Sequence, residues 1–362
     1  VKSTKQTKLT FSEKRKKFYE NKKRRKEGSK TTHKAISPTQ TELNILFEHY
    51  KNGRYGDTEK LARSITKKFP HHQFSWKILG SILSQTGRKS EALIINQRAV
   101  QLDPRDIEAL FNLGNNLQDL KRSVEAEESY RKALDIKPDF AECHANLGNP
   151  LRILGKRKEA LDSYKKAIEL KPEYIQAHYN LATLLSEMNK LEEAELSFKQ
   201  AIILNPKYYE AHYSLGLNYQ LLGKLNDSEE SFRQALLLKP DSAEVHNNLG
   251  VILKQLGRLK EAEEKYKESI ALKSNFEDPY SNLGVIFKEM DRLEEAEDIL
   301  RKALVINPNN SDTYTNLGVT LQELGRLEES IVFHEQAISL KPDQAKLYNN
   351  IGVAYQLLGQ VE

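Results

Sequence analysis

The apolar residues of this sequence recur at the spacing of amphipathic α-helices. Between residues 107 and 140, one stripe has members three or four positions apart, which places them on a single helix face: Leu110, Leu113, Leu117 and Leu120. After a polar break, a second stripe with helical spacing consists of Ala126, Tyr130 and Ala133. The pattern predicts two consecutive helices, neither of which can bury its apolar face alone.

This two-helix unit repeats every 34 residues without insertion or deletion. Its clearest anchor is a Leu-Gly pair or a close variant, at Leu113-Gly114, Leu147-Gly148, Leu181-Ala182, Leu215-Gly216, Leu249-Gly250, Leu283-Gly284, Leu317-Gly318 and Ile351-Gly352. A glycine such as Gly223 marks the turn between the helices, and a proline such as Pro240 closes most units. The repeats start at residues 39, 73, 107, 141, 175, 209, 243, 277, 311 and 345, and the last one is incomplete.

The pattern resembles that of the tetratricopeptide repeat (TPR) family, whose unit reads W-x2-L-G-x2-Y, then A-x3-F, then P. Trp76 and Leu79 match its opening, and Ala126 and Tyr130 match its second half. The resemblance covers residues 39–362. Within the family, the array resembles bacterial TPR proteins and the TPR superhelix of O-GlcNAc transferase. It implies an all-α, right-handed solenoid in which the first helix of each repeat lines an inner groove.

Charge divides the chain into two parts. Residues 1–38 hold 14 Lys and Arg against three Glu, a net charge of +11, whereas residues 39–362 have a net charge of −6. We therefore predict a basic N-terminal arm, disordered or partly helical, that precedes the repeat array. The boundary between them is a polar segment with turn residues, from Gly28 to Pro38.

The arm has three candidate roles. Residues 11–27 could form a helix, with Ser12 available to cap it and Gly28 to stop it. Its basic clusters would bind nucleic acid or anionic lipid; alternatively, the arm folds back on the acidic body or remains a solvated tail. The clusters consist of Lys14, Arg15, Lys16, Lys17, Lys22, Lys23, Arg24, Arg25 and Lys26.

The sequence contains no motif for catalysis or for a cofactor, so we predict that these residues form no enzyme. Gly216 and Gly223 are repeat positions rather than a phosphate-binding loop, because six residues separate them instead of four. The lone Cys143 excludes an intrachain disulfide and is expected to be a small buried hydrophobe. Histidines of four different repeats are expected to pack in the core rather than to bind a metal. They are His144, His178, His212 and His246.

No stretch approaches the roughly 18 consecutive apolar residues of a membrane span. The basic N-terminus is not followed by the apolar segment of a secretory signal. We therefore expect a cytoplasmic protein that is not transmembrane.

Asparagine recurs two residues before the glycine of the anchor pair. Asparagine is a mediocre residue in helix interiors, so its recurrence needs a cause. The resemblance implies that these amides line the groove and hold the backbone of an extended partner, as in O-GlcNAc transferase; the alternative is hydrogen bonding within the array. The candidate groove residues are Asn112, Asn146, Asn180, Asn248, Asn282, Asn316 and Asn350.

Other residues are also expected on the groove wall. One set opens the first helix of its repeat, where a carboxylate complements the helix dipole: Glu108, Glu142, Glu210, Glu244, Asp278 and Asp312. Such a mildly acidic, amide-rich groove favours an extended polar or basic segment. Pro150 falls inside a first helix, where we predict either a tolerated distortion or a kink that acts as a hinge.

We predict a non-enzymatic scaffold that binds a peptide or protein partner in its groove. The alternative is the substrate-recruiting region of a larger transferase, of the O-GlcNAc glycosyltransferase, sulfotransferase or methyltransferase type, whose catalytic domain lies beyond residue 362. The chain begins with Val and stops inside its tenth repeat, as we expect of a piece of a larger protein. A third hypothesis is an adaptor that contacts nucleic acid or membrane through the basic arm.

Overall fold

A computed structural model describes residues 37–359, and these residues form 19 α-helices with no strand among them. The helices are α1 (Gln40–Lys51), α2 (Tyr55–Lys68), α3 (Gln73–Gln85), α4 (Lys89–Leu102), α5 (Ile107–Asp119), α6 (Ser123–Ile136), α7 (Ala141–Ile153), α8 (Arg157–Leu170), α9 (Ile175–Glu187), α10 (Leu191–Leu204), α11 (Tyr209–Leu221), α12 (Leu225–Leu238), α13 (Ala243–Gln255), α14 (Leu259–Leu272), α15 (Asp278–Glu289), α16 (Leu293–Ile306), α17 (Ser311–Glu323), α18 (Leu327–Leu340) and α19 (Ala345–Leu357). Each odd-numbered helix and the even-numbered helix after it belong to one 34-residue repeat, so the predicted two-helix unit is confirmed. None of these helices combines the length and the apolar character that crossing a bilayer requires.

The chain divides into two compact units, one that ends at Asp139 and one that begins at Phe140. The first contains α1–α6 and the second contains α7–α19. Within each unit, every helix packs against the next one along the chain. Each unit is therefore stacked as a solenoid, in which a repeat contacts its sequence neighbours.

The turn between the two helices of a repeat requires a residue with positive φ. Gly257 has a φ of 75°, and nothing lies within 4 Å of the point where a Cβ would stand. Backbone conformation rather than space therefore favours glycine there. Lys121, Asn189 and Asp291 occupy the same turn position in other repeats, with φ values of 60°, 58° and 57°.

A second glycine lets the two helices of a repeat pack closely. In the fourth repeat, the ring of Tyr164 on α8 lies against Gly148 on α7, and a Cβ at Gly148 would stand 2.3 Å from that ring. Tyr164 is fully buried, as are Ala160 and Ala167 on the same helix. The apolar stripe predicted for the second helix therefore forms its core-facing side.

Pro150 is buried within α7, which continues past it to Ile153. Proline has no backbone N–H to donate within the helix. The backbone amide of Leu154 nevertheless donates to the carbonyl of Pro150 over 2.9 Å, so the last turn of the helix is formed. The predicted hinge role of Pro150 stays a prediction.

A side chain near the start of several odd-numbered helices bonds to the preceding repeat. Trp76 Nε1 donates to the carbonyl oxygen of Pro70 over 3.0 Å. His178 Nε2 lies 2.8 Å from the carbonyl oxygen of Pro172, and His178 is buried, in agreement with the predicted packing role. These imidazoles therefore also hold successive repeats together. Equivalent bonds are made by His212 and His246.

Candidate functional site

In the second unit, the odd-numbered helices share one surface. α7 contacts α9, α9 contacts α11, and the same holds for α13 with α15, α15 with α17 and α17 with α19. Successive even-numbered helices of the described chain do not pack against each other to a similar extent. α11 and α13 are joined by a hydrogen bond between Tyr213 and Asn248. We call the solvent-facing surface of α7, α9, α11, α13, α15, α17 and α19 the inner face.

Some of the predicted asparagines make hydrogen bonds between neighbouring odd-numbered helices. Asn248 Nδ2 donates to the hydroxyl of Tyr213 over 3.1 Å, and Asn282 Nδ2 donates to Asn247 Oδ1 over 3.0 Å. Both bonds join the sixth residue of one repeat to the fifth residue of the repeat before it. The hydrogen bonding within the array that the sequence left as an alternative therefore occurs at these two positions. One such bond does not exhaust the two donors and two acceptor lone pairs of an amide.

The asparagines are all half-buried, so their amides are partly accessible. Six of them lie on the helices of the inner face: Asn146, Asn180, Asn248, Asn282, Asn316 and Asn350. Asn112 has the same repeat position on α5, in the first unit. The second unit thus repeats one amide position from α7 to α19, with Ser214 in its place on α11, and the binding role of these amides stays a prediction.

Ion pairs offset much of the acidic charge that the sequence suggested for the groove wall. Lys273, just after α14, contacts Glu244 of the same repeat at 2.9 Å. The hydrogen bond from Lys273 is the main reason why the pKa of Glu244 is lowered. Farther along the helices, Lys254 of one repeat contacts Glu289 of the next at 3.0 Å. Glu244 and Glu289 are therefore paired with lysines of the array itself.

Sequence reasoning did not identify as a candidate site a cluster of tyrosines on α9, on α11 and in the turn that precedes α11. The rings of Tyr179 and Tyr208 have centroids 5.1 Å apart, and those of Tyr209 and Tyr213 are stacked at 6.3 Å. The hydroxyl of Tyr208 donates to Gln176 Oε1 over 3.0 Å. Burial raises the pKa of Tyr208 to about 12, so this hydroxyl keeps its proton at neutral pH. The sequence does contain a signal for this cluster, because successive repeats have an aromatic residue at their last position.

Beside this cluster lies a cavity of about 360 Å³. Its walls come from the two turns that precede α9 and α11, so it opens at the start of these two helices. The cavity is lined by Lys171, Glu173, Tyr174, Ile175, Gln176, Asn205 and Tyr208. It combines aromatic surface with amides and a carboxylate, which suits a side chain that is both flat and polar.

A larger cavity of about 810 Å³ lies between α12 and α14. Its lining includes His246 and Leu249 of α13, together with the exposed side chains of Leu237 and Leu272. His246 Nδ1 lies 2.8 Å from a carboxylate oxygen of Glu268 at its edge. Most of the lining of this cavity comes from the even-numbered helices α12 and α14, and α13 contributes only His246 and Leu249.

Several sequence predictions fall outside the described residues. The predicted helix of residues 11–27 and the basic clusters from Lys14 to Lys26 are among them, and so is the proposed catalytic domain beyond residue 362. Within residues 37–359, no group of three His, Cys, Asp or Glu side chains is placed to hold a metal ion. Cys143 is buried as predicted, and burial raises the pKa of its thiol to about 12.

Models of repeat families match most of the chain. Those described as tetratricopeptide repeat match residues 48–107, 107–140, 175–208, 208–275 and 277–343. A further model, described as TPR repeat, matches residues 148–189. A comparison with curated proteins found no match.

Two solved structures are similar to this chain in fold. The APC/C hetero-tetramer Cut9-Hcn1 has a TM-score of 0.53 and 16% identity, over 84% of this chain and 60% of the other. A tetratricopeptide repeat protein from Parabacteroides merdae has a TM-score of 0.53 and 23% identity, over 68% of this chain and 98% of the other. This chain thus spans 60% of the length of the Cut9-Hcn1 chain that it matches. At these identities, the likeness establishes the fold alone.

Proposed function

Because the chain belongs to the tetratricopeptide repeat family, we propose that its inner face is a scaffold surface that binds an extended segment of a partner protein. The observation that carries this proposal is the row of half-buried asparagines from α7 to α19. An amide both donates and accepts, so it pairs with a peptide group whatever side chain that residue carries. A row of amides therefore suits the backbone of an extended chain.

The spacing of the row matches such a ligand. Packed helices lie about 8–10 Å apart, and an extended chain rises roughly 3.3 Å per residue. One amide of the row would therefore meet about every third residue of the partner. The partner residues between these contacts would be free to vary. The partner's backbone would therefore fix its register on the inner face, and its side chains would determine which sequences bind best.

The rest of the inner face favours a segment of mixed polarity. Half-buried valines lie three residues beyond the asparagines, at Val251, Val285 and Val319, and offer apolar contacts. Ion pairs such as Lys254 with Glu289 leave polar surface whose charges are already matched. We therefore expect a partner segment that alternates small apolar and polar residues, rather than a strongly acidic one.

The test begins with selection of a random-peptide phage library on the full chain. Retained peptides are then labelled, and their affinities are measured by fluorescence anisotropy. The double variant Asn316→Ala and Asn350→Ala should bind about thirtyfold more weakly, because each of the two lost hydrogen bonds contributes about 1 kcal/mol. Asn248 and Asn282 are left unchanged because they also join repeats.

The matched control replaces two asparagines in turns, Asn275→Ala and Asn309→Ala, both of which are exposed. This control should bind like the unmodified chain. Equal affinities for the control and for the inner-face variant would overturn the proposal. Failure of the library to yield any retained peptide would overturn it as well.

A further inference from the structure

Two repeats of the second unit place a lysine over an aromatic ring at the end of the repeat. Lys171 Nζ lies 5.3 Å from the ring centroid of Tyr174, and Lys273 Nζ lies 5.2 Å from that of Phe276. In both repeats, the lysine directly follows the even-numbered helix and the aromatic residue comes three positions later. The repeat thus has a built-in position for a cation on an aromatic face.

The fifth repeat keeps the ring but lacks the lysine. Tyr208 is the aromatic residue, and Asn205 stands where the lysine would be. The backbone there is the same: Asn205 has φ −141° and ψ 93°, and Lys171 has φ −143° and ψ 84°. Asn205 instead accepts a hydrogen bond from the backbone amide of Lys207 over 3.1 Å. Among the described residues, no cation is placed over the Tyr208 ring as in the other two repeats.

The surroundings of this ring carry negative charge. Glu173 lines the cavity of about 360 Å³ that Tyr208 borders, and its side chain is exposed. Glu210 is exposed two residues beyond Tyr208. Lys171, which also lines the cavity, contacts Glu142 at 2.9 Å and interacts electrostatically with Glu173. A cation that entered the cavity would therefore find an aromatic face and a carboxylate.

We propose that the cavity beside Tyr208 binds an arginine side chain of the partner's extended segment, with the guanidinium on the ring and near Glu173. The inference rests on the proposed function of the inner face, and it adds the class of side chain that this face selects. Arginine fits better than lysine because its planar guanidinium stacks on a ring and is more weakly hydrated. The arginine thus takes the place that lysines of the chain itself take in two other repeats.

The sharpest test restores the missing lysine. Asn205→Lys should place an ammonium over Tyr208, as Lys171 does over Tyr174, and so block the cavity without disturbing the fold. The matched control is Asn307→Lys, since Asn307 holds the same repeat position, and accepts from Asn309 N over 3.2 Å, but precedes Asn310 instead of an aromatic residue. The control adds the same charge where no ring can hold it.

The probes are peptides that the full chain retains from a random phage library, which should be enriched in arginine. Replacement of that arginine by alanine should weaken binding about tenfold, within the range of a cation on an aromatic face. Asn205→Lys should cause a similar loss, and the two losses should not add, whereas Asn307→Lys should bind like the unmodified chain. Tyr208→Phe keeps the ring and should keep the preference for arginine, while Tyr208→Ala should lose it.

The outcomes separate the two proposals. Retained peptides without arginine enrichment, or a full sum of the two losses, would overturn the arginine site. If those peptides still weaken with the inner-face asparagine variant, the proposed function stands without it. Retained peptides whose affinity changes with neither set of variants would overturn both proposals.

Discussion

The hydroxyl of Tyr164 donates a hydrogen bond of 2.7 Å to the side-chain oxygen of Asn149. Three repeats later, the equivalent ring is that of Tyr266, and Val251 takes the place of the asparagine. The hydroxyl of Tyr266 is buried and has no hydrogen-bond partner within the described chain. Both tyrosines are 0% exposed. They therefore differ in hydrogen bonding and not in burial: one hydroxyl has a partner and the other has none.

We expect Tyr164→Phe to lower the free energy of unfolding by about 1 kcal/mol, the usual net contribution of a hydrogen bond. Tyr266→Phe removes a buried hydroxyl that is unpaired, so it should leave the free energy of unfolding unchanged or raise it slightly. Urea unfolding followed by circular dichroism measures both effects. Equal changes in the free energy of unfolding of the two variants would mean that the hydrogen bond to Asn149 makes no net contribution to stability.

The anchor glycines offer a second comparison. A Cβ at Gly250 would stand 2.6 Å from the ring of Tyr266, so Gly250→Ala should destabilise the chain by about 1–3 kcal/mol through overpacking. Gly352 has the same repeat position on α19, where nothing lies within 4 Å of that point. Gly352→Ala should therefore stabilise by roughly 0.5–1 kcal/mol, the gain of alanine over glycine in a helix. The same unfolding experiment measures both changes, and a loss at Gly352 would contradict the packing explanation.

The turn residues with positive φ predict a stabilising substitution. Lys121 has a φ of 60° and an exposed side chain, so Lys121→Gly removes backbone strain without loss of packing. We expect a gain of about 1 kcal/mol in the free energy of unfolding. Asn189→Gly, at the same turn position, should gain less because asparagine tolerates this conformation better. A gain at Asn189 that exceeds the gain at Lys121 would show that the turn conformation is not what limits stability there.

Much of the fold could be predicted because ten repeats carry the same pattern of apolar, glycine and proline positions. The start of α13 at Ala243 falls at a predicted repeat boundary, and Gly257 has the positive φ of a turn glycine. Helical spacing, turn glycines and closing prolines are local signals, and repetition averages out the exceptions. Element type and order therefore follow from the pattern alone.

The inner face was harder to predict because its bonds join different repeats. Asn282 and its partner Asn247 lie 35 residues apart, and no local signal says which partner an amide takes. Glu289 was a similar case, since its partner Lys254 belongs to the preceding repeat. These contacts depend on how one repeat is rotated against the next, which helical periodicity does not encode.

The cavity beside Tyr208 required a comparison between repeats in three dimensions. In the sequence, Asn205 is one more substitution at a variable position. Its meaning emerges only when Lys171 is seen over the ring of Tyr174. The observation behind the proposed site is thus a comparison with two other repeats, in which a lysine lies over the equivalent ring.

His334 is a buried titratable group in the place of an aromatic ring. It lies against Gly318, where four other repeats have Tyr or Phe against the equivalent glycine, and its side chain is 0% exposed. Nε2 lies 3.3 Å from Gln322 Oε1, and Nδ1 has no partner within the described residues. Burial lowers the pKa of His334 to about 4, because a charged imidazole would lose its hydration there.

This shift predicts that acid destabilises the chain before its carboxylates are protonated. The unfolded chain takes up a proton at His334 near pH 6.5, whereas the folded chain does so only near pH 4. The contribution of the neutral His334 to the free energy of unfolding is therefore complete above pH 6.5. It falls by up to about 3 kcal/mol as the pH decreases toward 4. His334→Phe, which copies Phe232 against Gly216, should remove this part of the pH dependence. Urea unfolding of both proteins between these pH values measures it, and parallel curves would contradict a neutral buried imidazole.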